Sequence, residues 1–167
     1  MMGTLSKLDR AQFLRGNFKG GRPAVRPPWA LAEDDFLEAC SRCDVCVGAC
    51  PEGIIQRGRG GYPEIAFARG ACTFCEACAS ACAPGALVRD PSRAPWTLRA
   101  VISPACLSAA GITCRVCGEQ CETSAIRFVL AVGGVARPTV DAAACTGCGA
   151  CVAPCPVSAI EIHEGEG

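Results

Sequence analysis

Four groups of four cysteines, sixteen in a chain of 167 residues, constrain what this sequence can fold into more than any other feature. The first group is Cys40, Cys43, Cys46 and Cys50, and Pro51 follows it. The same intervals recur 32 residues later at Cys72, Cys75, Cys78 and Cys82. Since every member recurs at one fixed offset, the first half of the chain is an internal duplication.

The second half of the chain carries two further groups, of which one is irregular. The last group repeats the first pattern intact, proline included, at Cys145, Cys148, Cys151 and Cys155. The third group is Cys106, Cys114, Cys117 and Cys121. Its first gap holds seven residues in place of two, and Glu122 replaces the proline. We therefore expect the loop before Cys114 to bulge, which makes Cys106 the least regular member.

A cysteine content this high indicates either a disulfide scaffold or a metal protein, and the cellular compartment decides between them. Residues 1–29 contain no apolar run of the length that a secretory signal needs, and no later segment is long enough to span a membrane. Residues 9–14 faintly resemble a twin-arginine export signal but have one arginine and no apolar region behind it. We predict a cytoplasmic protein without a membrane span, whose reduced thiols bind metal.

The spacing of the cysteines indicates which metal group they bind. Cys-x2-Cys-x2-Cys-x3-Cys-Pro is the bacterial ferredoxin run, in which three thiolates hold one cluster and the fourth holds its neighbour. Two residues between ligands let a loop wrap a cubane while its amides donate hydrogen bonds to sulfur. Structural zinc, the alternative, usually pairs two Cys-x2-Cys elements about fifteen or more residues apart. We therefore predict four [4Fe-4S] clusters bound by all sixteen cysteines.

The ferredoxin rule also predicts that ligands cross between runs. Cluster one takes Cys40, Cys43, Cys46 and Cys82. Cluster two takes Cys72, Cys75, Cys78 and Cys50. Cluster three takes Cys106, Cys114, Cys117 and Cys155. Cluster four takes Cys145, Cys148, Cys151 and Cys121.

The residues after each fourth cysteine repeat as well, and they predict the fold class. A small residue leads into two apolar positions at Gly53-Ile54-Ile55, Gly85-Ala86-Leu87, Ser124-Ala125-Ile126 and Ser158-Ala159-Ile160. We interpret each unit as a short strand, a cysteine loop, a helical turn carrying the fourth cysteine, and a returning strand. Candidate strands are residues 64–68, 126–132 and 136–140, with a hairpin turn at residues 57–62.

Two such units make one small ferredoxin-like domain, so we expect an α+β protein with two tandem 2[4Fe-4S] domains behind a flexible N-terminal arm. The predicted boundaries are residues 1–33 for the arm, 34–92 for the first domain and 93–167 for the second. Residues 90–95 form a proline-rich polar connector. Much of the 50% hydrophobic fraction is Ala and Cys, so we expect cluster to fill most of each core.

Charge separates the arm from the rest of the chain. The arm up to residue 29 carries six cations against Asp9, a local charge of +5, at Lys7, Arg10, Arg15, Lys19, Arg22 and Arg26. It is either a solvated tail or a docking segment. Sixteen thiolates and four clusters give the loaded protein a charge of roughly −8. We therefore expect no nucleic-acid binding.

The remaining aromatic, histidine and carboxylate residues give no indication of a catalytic site. Trp29 and Trp96 are predicted to pack over the domains rather than contact a cofactor. His163 is predicted to lie at the surface, because no run lacks a cysteine that it could replace. No paired carboxylates, nucleophile elbow or phosphate-binding loop is present. We expect a protein that is not an enzyme.

Several stretches in and between the runs carry a family resemblance. They are Arg26-Pro27-Pro28-Trp29, Phe36-Leu37, Cys40-Ser41-Arg42-Cys43-Asp44, Gln56-Arg57-Gly58, Gly60-Gly61-Tyr62-Pro63, Cys145-Thr146-Gly147-Cys148-Gly149-Ala150-Cys151 and Cys155-Pro156-Val157-Ser158-Ala159-Ile160. The seven-residue gap after Cys106 is a further shared feature. Together these features resemble one family, NapF, the ferredoxin-type accessory proteins of the periplasmic nitrate reductase system.

The resemblance implies a cytoplasmic protein that contacts the molybdenum-containing catalytic subunit of periplasmic nitrate reductase before export and assists its maturation. The alternative is an electron-transfer polyferredoxin subunit of a redox complex. Four clusters suit an electron-transfer chain. Such a chain needs a site for an electron donor, and the sequence contains neither a flavin motif nor a membrane segment.

Overall fold

The computed structural model describes residues 24–130 and 134–165 of the chain. Its elements are short, and three of its helices lie within the cysteine runs. The helices are α1 (Glu33–Ala39), α2 (Val45–Ala49), α3 (Ala77–Ser80) and α4 (Val116–Glu119). The strands are β1 (Ile55–Arg57), β2 (Pro63–Ile65), β3 (Leu98–Ile102), β4 (Ile126–Val129), β5 (Arg137–Val140) and β6 (Ile160–Glu164). This mixture of short helices and strands agrees with the predicted α+β class.

The first half of the chain contains the predicted hairpin. Strands β1 and β2 pair antiparallel, with Ile55 opposite Ile65. Gly60 and Gly61 between them have φ values of 64° and 80°, so the turn needs the left-handed conformation that glycine adopts freely. Strand β2 is shorter than predicted, because Phe67–Arg69 forms a 3-10 turn instead. The chain must turn there to return to the next cysteine run.

The second half has two antiparallel pairs. Strand β3, at its beginning, pairs along its whole length with β6, at its end. Strands β4 and β5 form a hairpin, with Phe128 opposite Pro138. These two strands lie within the predicted ranges, although residues 131 and 132 of the first range are outside the described residues. The outer pair therefore closes this half around the hairpin and both of its cysteine runs.

A segment that the sequence assigned to the arm closes the first half in the same way. Ala30 forms an antiparallel bridge with Leu87. The Leu31 amide donates to the Ala86 carbonyl at 3.1 Å, and the Val88 amide donates to the Trp29 carbonyl at 2.9 Å. These bonds correspond to the pairing of β3 with β6. Residues 24–31 of the predicted arm thus pack on the first half of the chain, and residues 1–23 lie outside the described residues.

Arg26 attaches this segment to α1 and to the hairpin. Its guanidinium donates two hydrogen bonds to the Glu33 carboxylate, at 3.0 and 2.7 Å, and one to the Pro63 carbonyl at 3.2 Å. It also lies over the rings of Phe36 and Tyr62, at 5.0 and 5.6 Å from the ring centroids. The planar guanidinium of arginine can donate two parallel hydrogen bonds and also stack on aromatic rings. The lysine ammonium group can do neither, so lysine cannot replace arginine here.

The repeated small residues and their apolar followers form the core. Gly53, Gly85, Ser124 and Ser158 all have positive φ, at 61°, 76°, 53° and 48°. The side chains that follow are at most 6% exposed: Ile54, Ile55, Ala86, Leu87, Ala125, Ile126, Ala159 and Ile160. Burial of one large aliphatic side chain contributes about 1.5–3 kcal/mol. The left-handed turn after each run therefore directs the chain back beneath its own cysteines.

The connector at residues 90–95 contains a tight turn. The Asp90 carboxylate accepts hydrogen bonds from the Ser92 hydroxyl at 2.6 Å and the Ser92 amide at 2.8 Å. Both hydrogen bonds lower the pKa of Asp90, and the bond from the hydroxyl contributes most. Beyond the turn, the Pro95 carbonyl accepts from the Trp29 amide at 2.7 Å. The connector is therefore held against the segment that closes the first half.

Candidate metal centres

Three of the cysteine runs share an unusual backbone conformation. Two positions in each have positive φ: Arg42 and Asp44 (59°, 60°), Phe74 and Glu76 (54°, 63°), and Gly147 and Gly149 (70°, 82°). Residues other than glycine rarely adopt this conformation and hold it at a cost in strain. Alternating conformations of this kind turn successive amides toward the inside of a loop, where they can face anions. One such amide, of Phe74, already donates to the Cys72 sulfur at 3.4 Å.

The short helices carry the third cysteine of a run, which corrects the prediction that they carry the fourth. Helices α2, α3 and α4 contain Cys46, Cys78 and Cys117, which are buried. In the first two runs the left-handed residue after the second cysteine is the N-cap of the helix, so the helix begins one residue before the third cysteine. The helix is complete when the fourth cysteine is reached, as Cys50 shows by capping α2. The fourth cysteine thus leaves the loop of its own run.

The first cavity is lined by three cysteines of the first run and one of the second. Cys40, Cys43, Cys46 and Cys82 surround about 350 Å³, counting the open mouth, beside apolar residues such as Phe36 and Leu87. Burial raises the pKa of Cys46, and the Cys40, Cys82 and Cys43 thiolates raise it further. Cys43 lies at the exposed side, where the Val45 amide and then the Ser41 hydroxyl lower its pKa. The structure brings together the four residues predicted for cluster one.

The second cavity has the reciprocal composition. Cys50 from the first run joins Cys72, Cys75 and Cys78 around about 330 Å³. Burial, followed by the Cys72 thiolate, raises the pKa of Cys78 to about 12. Trp29 lines this cavity, so it is more than the packing residue that the sequence predicted. The four residues predicted for cluster two also lie together.

In the second half, the electrostatic influence of one thiol on another indicates which cysteines lie near each other. Burial raises the pKa of Cys117, and the Cys106 and Cys114 thiolates raise it further. Cys106 thus remains close to its run despite the seven-residue insert. Burial raises the pKa of Cys151 to about 12, with contributions from the Cys148, Cys145 and Cys117 thiolates. The influence of Cys117 on Cys151 shows that the third and fourth runs are neighbours.

The fourth cysteines of these two runs contact their own returning segments. Burial raises the pKa of Cys121, but hydrogen bonds from the Thr123 hydroxyl and from nearby amides outweigh it, so the pKa lies below its ordinary value. The Cys155 sulfur accepts a hydrogen bond from the Ala159 amide at 3.3 Å. Their assignment to the opposite cluster therefore rests on the repeat shared with the first half.

The irregular third run uses a buried serine where the other runs use a left-handed residue. Arg115, after the second cysteine of this run, has φ −131° and not the positive value of its counterparts. Ser108, in the insert, is 2% exposed and is the one buried polar side chain among the residues described. Its hydroxyl donates to the Cys114 carbonyl at 2.6 Å and accepts from the Cys114 amide at 3.3 Å. Sequence reasoning missed Ser108, and the insert offered two hydroxyl residues, Ser108 and Thr113, with nothing in the spacing to choose between them.

The donor set fits cubanes. All sixteen cysteines are free of disulfide bonds. In residues 24–130 and 134–165, no three His, Cys, Asp or Glu side chains converge closely enough to hold a single metal ion. A cubane binds one thiolate at each of its four irons, so its ligands line a cavity and do not meet at a point. His163, on β6, lies at the surface with its side chain 42% exposed.

Comparison with known proteins agrees with this geometry. Residues 39–87 and residues 112–159 each match a family described as a 4Fe-4S dicluster domain. The ferredoxin-type protein NapF of Haemophilus influenzae is 44% identical over 96% of this chain and 97% of its own length. The NapF of Escherichia coli K12 is 43% identical over 92% of this chain and 94% of its own length. The chain belongs to the NapF family of ferredoxin-type proteins.

Membership in the NapF family makes this an iron-sulfur protein of two tandem dicluster units, which we call the first and second modules. A more distant relative is the methylamine utilization ferredoxin-type protein MauM of Methylorubrum extorquens, 34% identical over 90% of this chain and 76% of its own length. Within the described ranges, no helix has the length and apolar character needed to cross a membrane.

Replacement of Ser108 by alanine tests its role in the third run. The change leaves the Cys114 amide and carbonyl without their buried partner, at a cost of about 1–3 kcal/mol. We expect anaerobically purified Ser108→Ala to lose up to about four iron atoms per chain, one cubane, to a chelator faster than the wild type does. Ser92→Ala is the control, because it removes one side-chain hydrogen bond, from the Ser92 hydroxyl to the Asp90 carboxylate, at an exposed turn. Equal chelation rates in all three proteins would show that Ser108 does not hold the run.

Proposed function

We propose that the protein binds four [4Fe-4S] clusters, each through three cysteines of one run and the fourth of its partner run. The observation that carries this proposal is the pair of reciprocal cavities in the first module, where Cys82 joins the first run and Cys50 joins the second. The same repeat extends the arrangement to the second module. There the proposed groups are Cys106, Cys114, Cys117 and Cys155, and Cys145, Cys148, Cys151 and Cys121.

The residues around each site control how accessible a cluster is and how easily it takes up an electron. The clusters, when bound, supply one-electron redox chemistry. Trp29, Pro28 and Ile54 form an apolar wall at the second cavity and limit the access of water. Amides such as that of Phe74 donate to ligand sulfurs and favour the more negative, reduced state. The buried thiols must lose their protons on loading, since metal binds the thiolate.

We propose further that the protein acts in the cytoplasm, without catalytic activity of its own, on the catalytic subunit of periplasmic nitrate reductase before export. The support is the resemblance to NapF. Two of the stretches that carry it, residues 26–29 and residues 60–63, meet in the structure through Arg26, which contacts Tyr62 and Pro63. The resemblance therefore extends to a packing unit over the first module. Its role would be to assist maturation, by delivery of clusters or electrons.

The alternative function is that of an electron-transfer polyferredoxin within a redox complex. One observation favours it: the Cys72 amide donates to the Cys148 carbonyl at 2.8 Å, so ligand residues of the two modules are in direct contact. A protein that only stores or delivers clusters does not need such contact. The two functions are not exclusive, because a maturation factor can also supply electrons to its client.

Crossed ligation is tested by alanine substitution of the two exchanged cysteines. Cys50→Ala removes a ligand from the site of Cys72, Cys75 and Cys78, so we expect it to damage cluster two and leave cluster one intact. Cys82→Ala should do the reverse. Electron paramagnetic resonance during stepwise reduction distinguishes the clusters by their potentials, and each variant should lose a different one. Damage by Cys50→Ala to the cluster of Cys40, Cys43 and Cys46 would refute the crossing.

Maturation and electron transfer predict different phenotypes in cells that lack the protein. If the protein assists maturation, the exported catalytic subunit should have low nitrate reductase activity even when an artificial donor supplies electrons directly. If it only carries electrons, the artificial donor should restore full activity, because the enzyme was assembled correctly. Activity per molybdenum atom in periplasmic extracts makes the comparison independent of expression level. Full activity in this assay would reject the maturation role.

A further inference from the structure

The two modules meet at their cysteine loops. Cys72 opens the second run and Cys148 is the second cysteine of the fourth run, and a hydrogen bond of 2.8 Å joins the amide of one to the carbonyl of the other. In the proposed assignment, Cys72 holds cluster two and Cys148 holds cluster four. The path between these two sites thus crosses one hydrogen bond between ligand residues and no intervening side chain.

Aromatic packing holds this contact closed. The Trp96 ring meets Phe67 and Phe74 edge-on, with centroids 5.9 and 5.4 Å apart. Its indole N–H donates to the Thr146 carbonyl at 2.7 Å, which lies between the first two cysteines of the fourth run. Aromatic pairs of this geometry contribute about 0.5–1.5 kcal/mol each beyond their burial. Trp96 therefore joins the Phe74 loop of the first module to the fourth run of the second.

The fourth run also has a glycine at the position where the first module packs closely against it. A side chain at Gly149 would place its Cβ 2.0 Å from Cδ1 of Phe67, a residue of the first module. The equivalent left-handed positions in the first two runs are occupied by Asp44 and Glu76, so this conformation alone does not require glycine. Glycine at position 149 is explained by the Phe67 ring that lies against it. The fourth run thus lacks a side chain where the first module packs.

We propose that electrons pass between the modules at the Cys72–Cys148 contact, so that the clusters form one chain in the order one, two, four, three. The ends of the order follow from exchange of Cys50 and Cys82 between the first two runs, and from the same exchange of Cys121 and Cys155 proposed for the last two runs. In each transfer one cluster loses an electron and its neighbour gains it, with no bond formed and no proton moved. A low-potential one-electron donor outside the protein supplies each electron. The inference rests on the four clusters of the proposed function.

Spin relaxation in the fully reduced, full-length protein tests the order. Two reduced clusters that lie close together shorten each other's relaxation times. We expect the wild type to need severalfold more microwave power for half-saturation than Trp96→Ala, in which the contact between modules is loosened. The control is Tyr62→Ala, which removes a half-buried aromatic ring packed on Phe36 in the first module. It should relax like the wild type.

Hydrogen exchange and iron content make each outcome decisive. The Cys72 amide should be protected in the wild type and in Tyr62→Ala but exchange rapidly in Trp96→Ala. Rapid exchange of the Cys72 amide in Trp96→Ala, with spin relaxation unchanged from the wild type, would overturn the proposed junction. A protected Cys72 amide in Trp96→Ala would overturn the role of Trp96.

If Trp96→Ala loses iron, Trp96→Phe, which removes the indole N–H, is judged by the same criteria. Iron far below about sixteen atoms in the wild type would instead refute the proposed function.

Discussion

The first module depends on the exchange of the fourth cysteine between its paired runs. A run can curve around a cavity only through its first three cysteines, and the short helix that follows sends the fourth away. Cys50 and Cys82 each reach the cavity of the other run, so neither site is complete without both runs. Metal binding of this kind contributes directly to folding free energy. We therefore expect the dicluster module, rather than the single run, to be the unit that folds.

The polypeptide between the runs is organised to serve this exchange. A left-handed residue after each fourth cysteine, Gly53 being the first, turns the chain so that the next two side chains are buried below the sites. The first module is closed by the Ala30–Leu87 bridge and the second by the pairing of β3 with β6. In the first module, buried apolar side chains such as Phe36, Ile54 and Leu87 line the cysteine cavities directly. Contact between Cys72 and Cys148 then makes one assembly of the two modules.

Features that repeat along the sequence could be predicted, whereas features that depend on a single long-range contact could not. The cysteine intervals and the apolar residues after them predicted the α+β class and, in the first module, which cysteines line each cavity. The helical turns were assigned to the fourth cysteine because spacing does not show where a left-handed N-cap such as Asp44 stands. The sequence predicted that Trp29 and Trp96 pack, but their partners, like those of Ser108, are distant or irregular contacts that leave no period in the sequence. Their roles needed the folded chain.

Iron and acid-labile sulfide, counted per chain in protein purified without oxygen, test the central claim most directly. Four cysteines for each cubane and sixteen cysteines in the chain predict about sixteen iron atoms and about sixteen sulfides. Loss of one cluster during purification would lower both counts together by about four. Zinc in place of iron, or iron without acid-labile sulfide, would contradict the account.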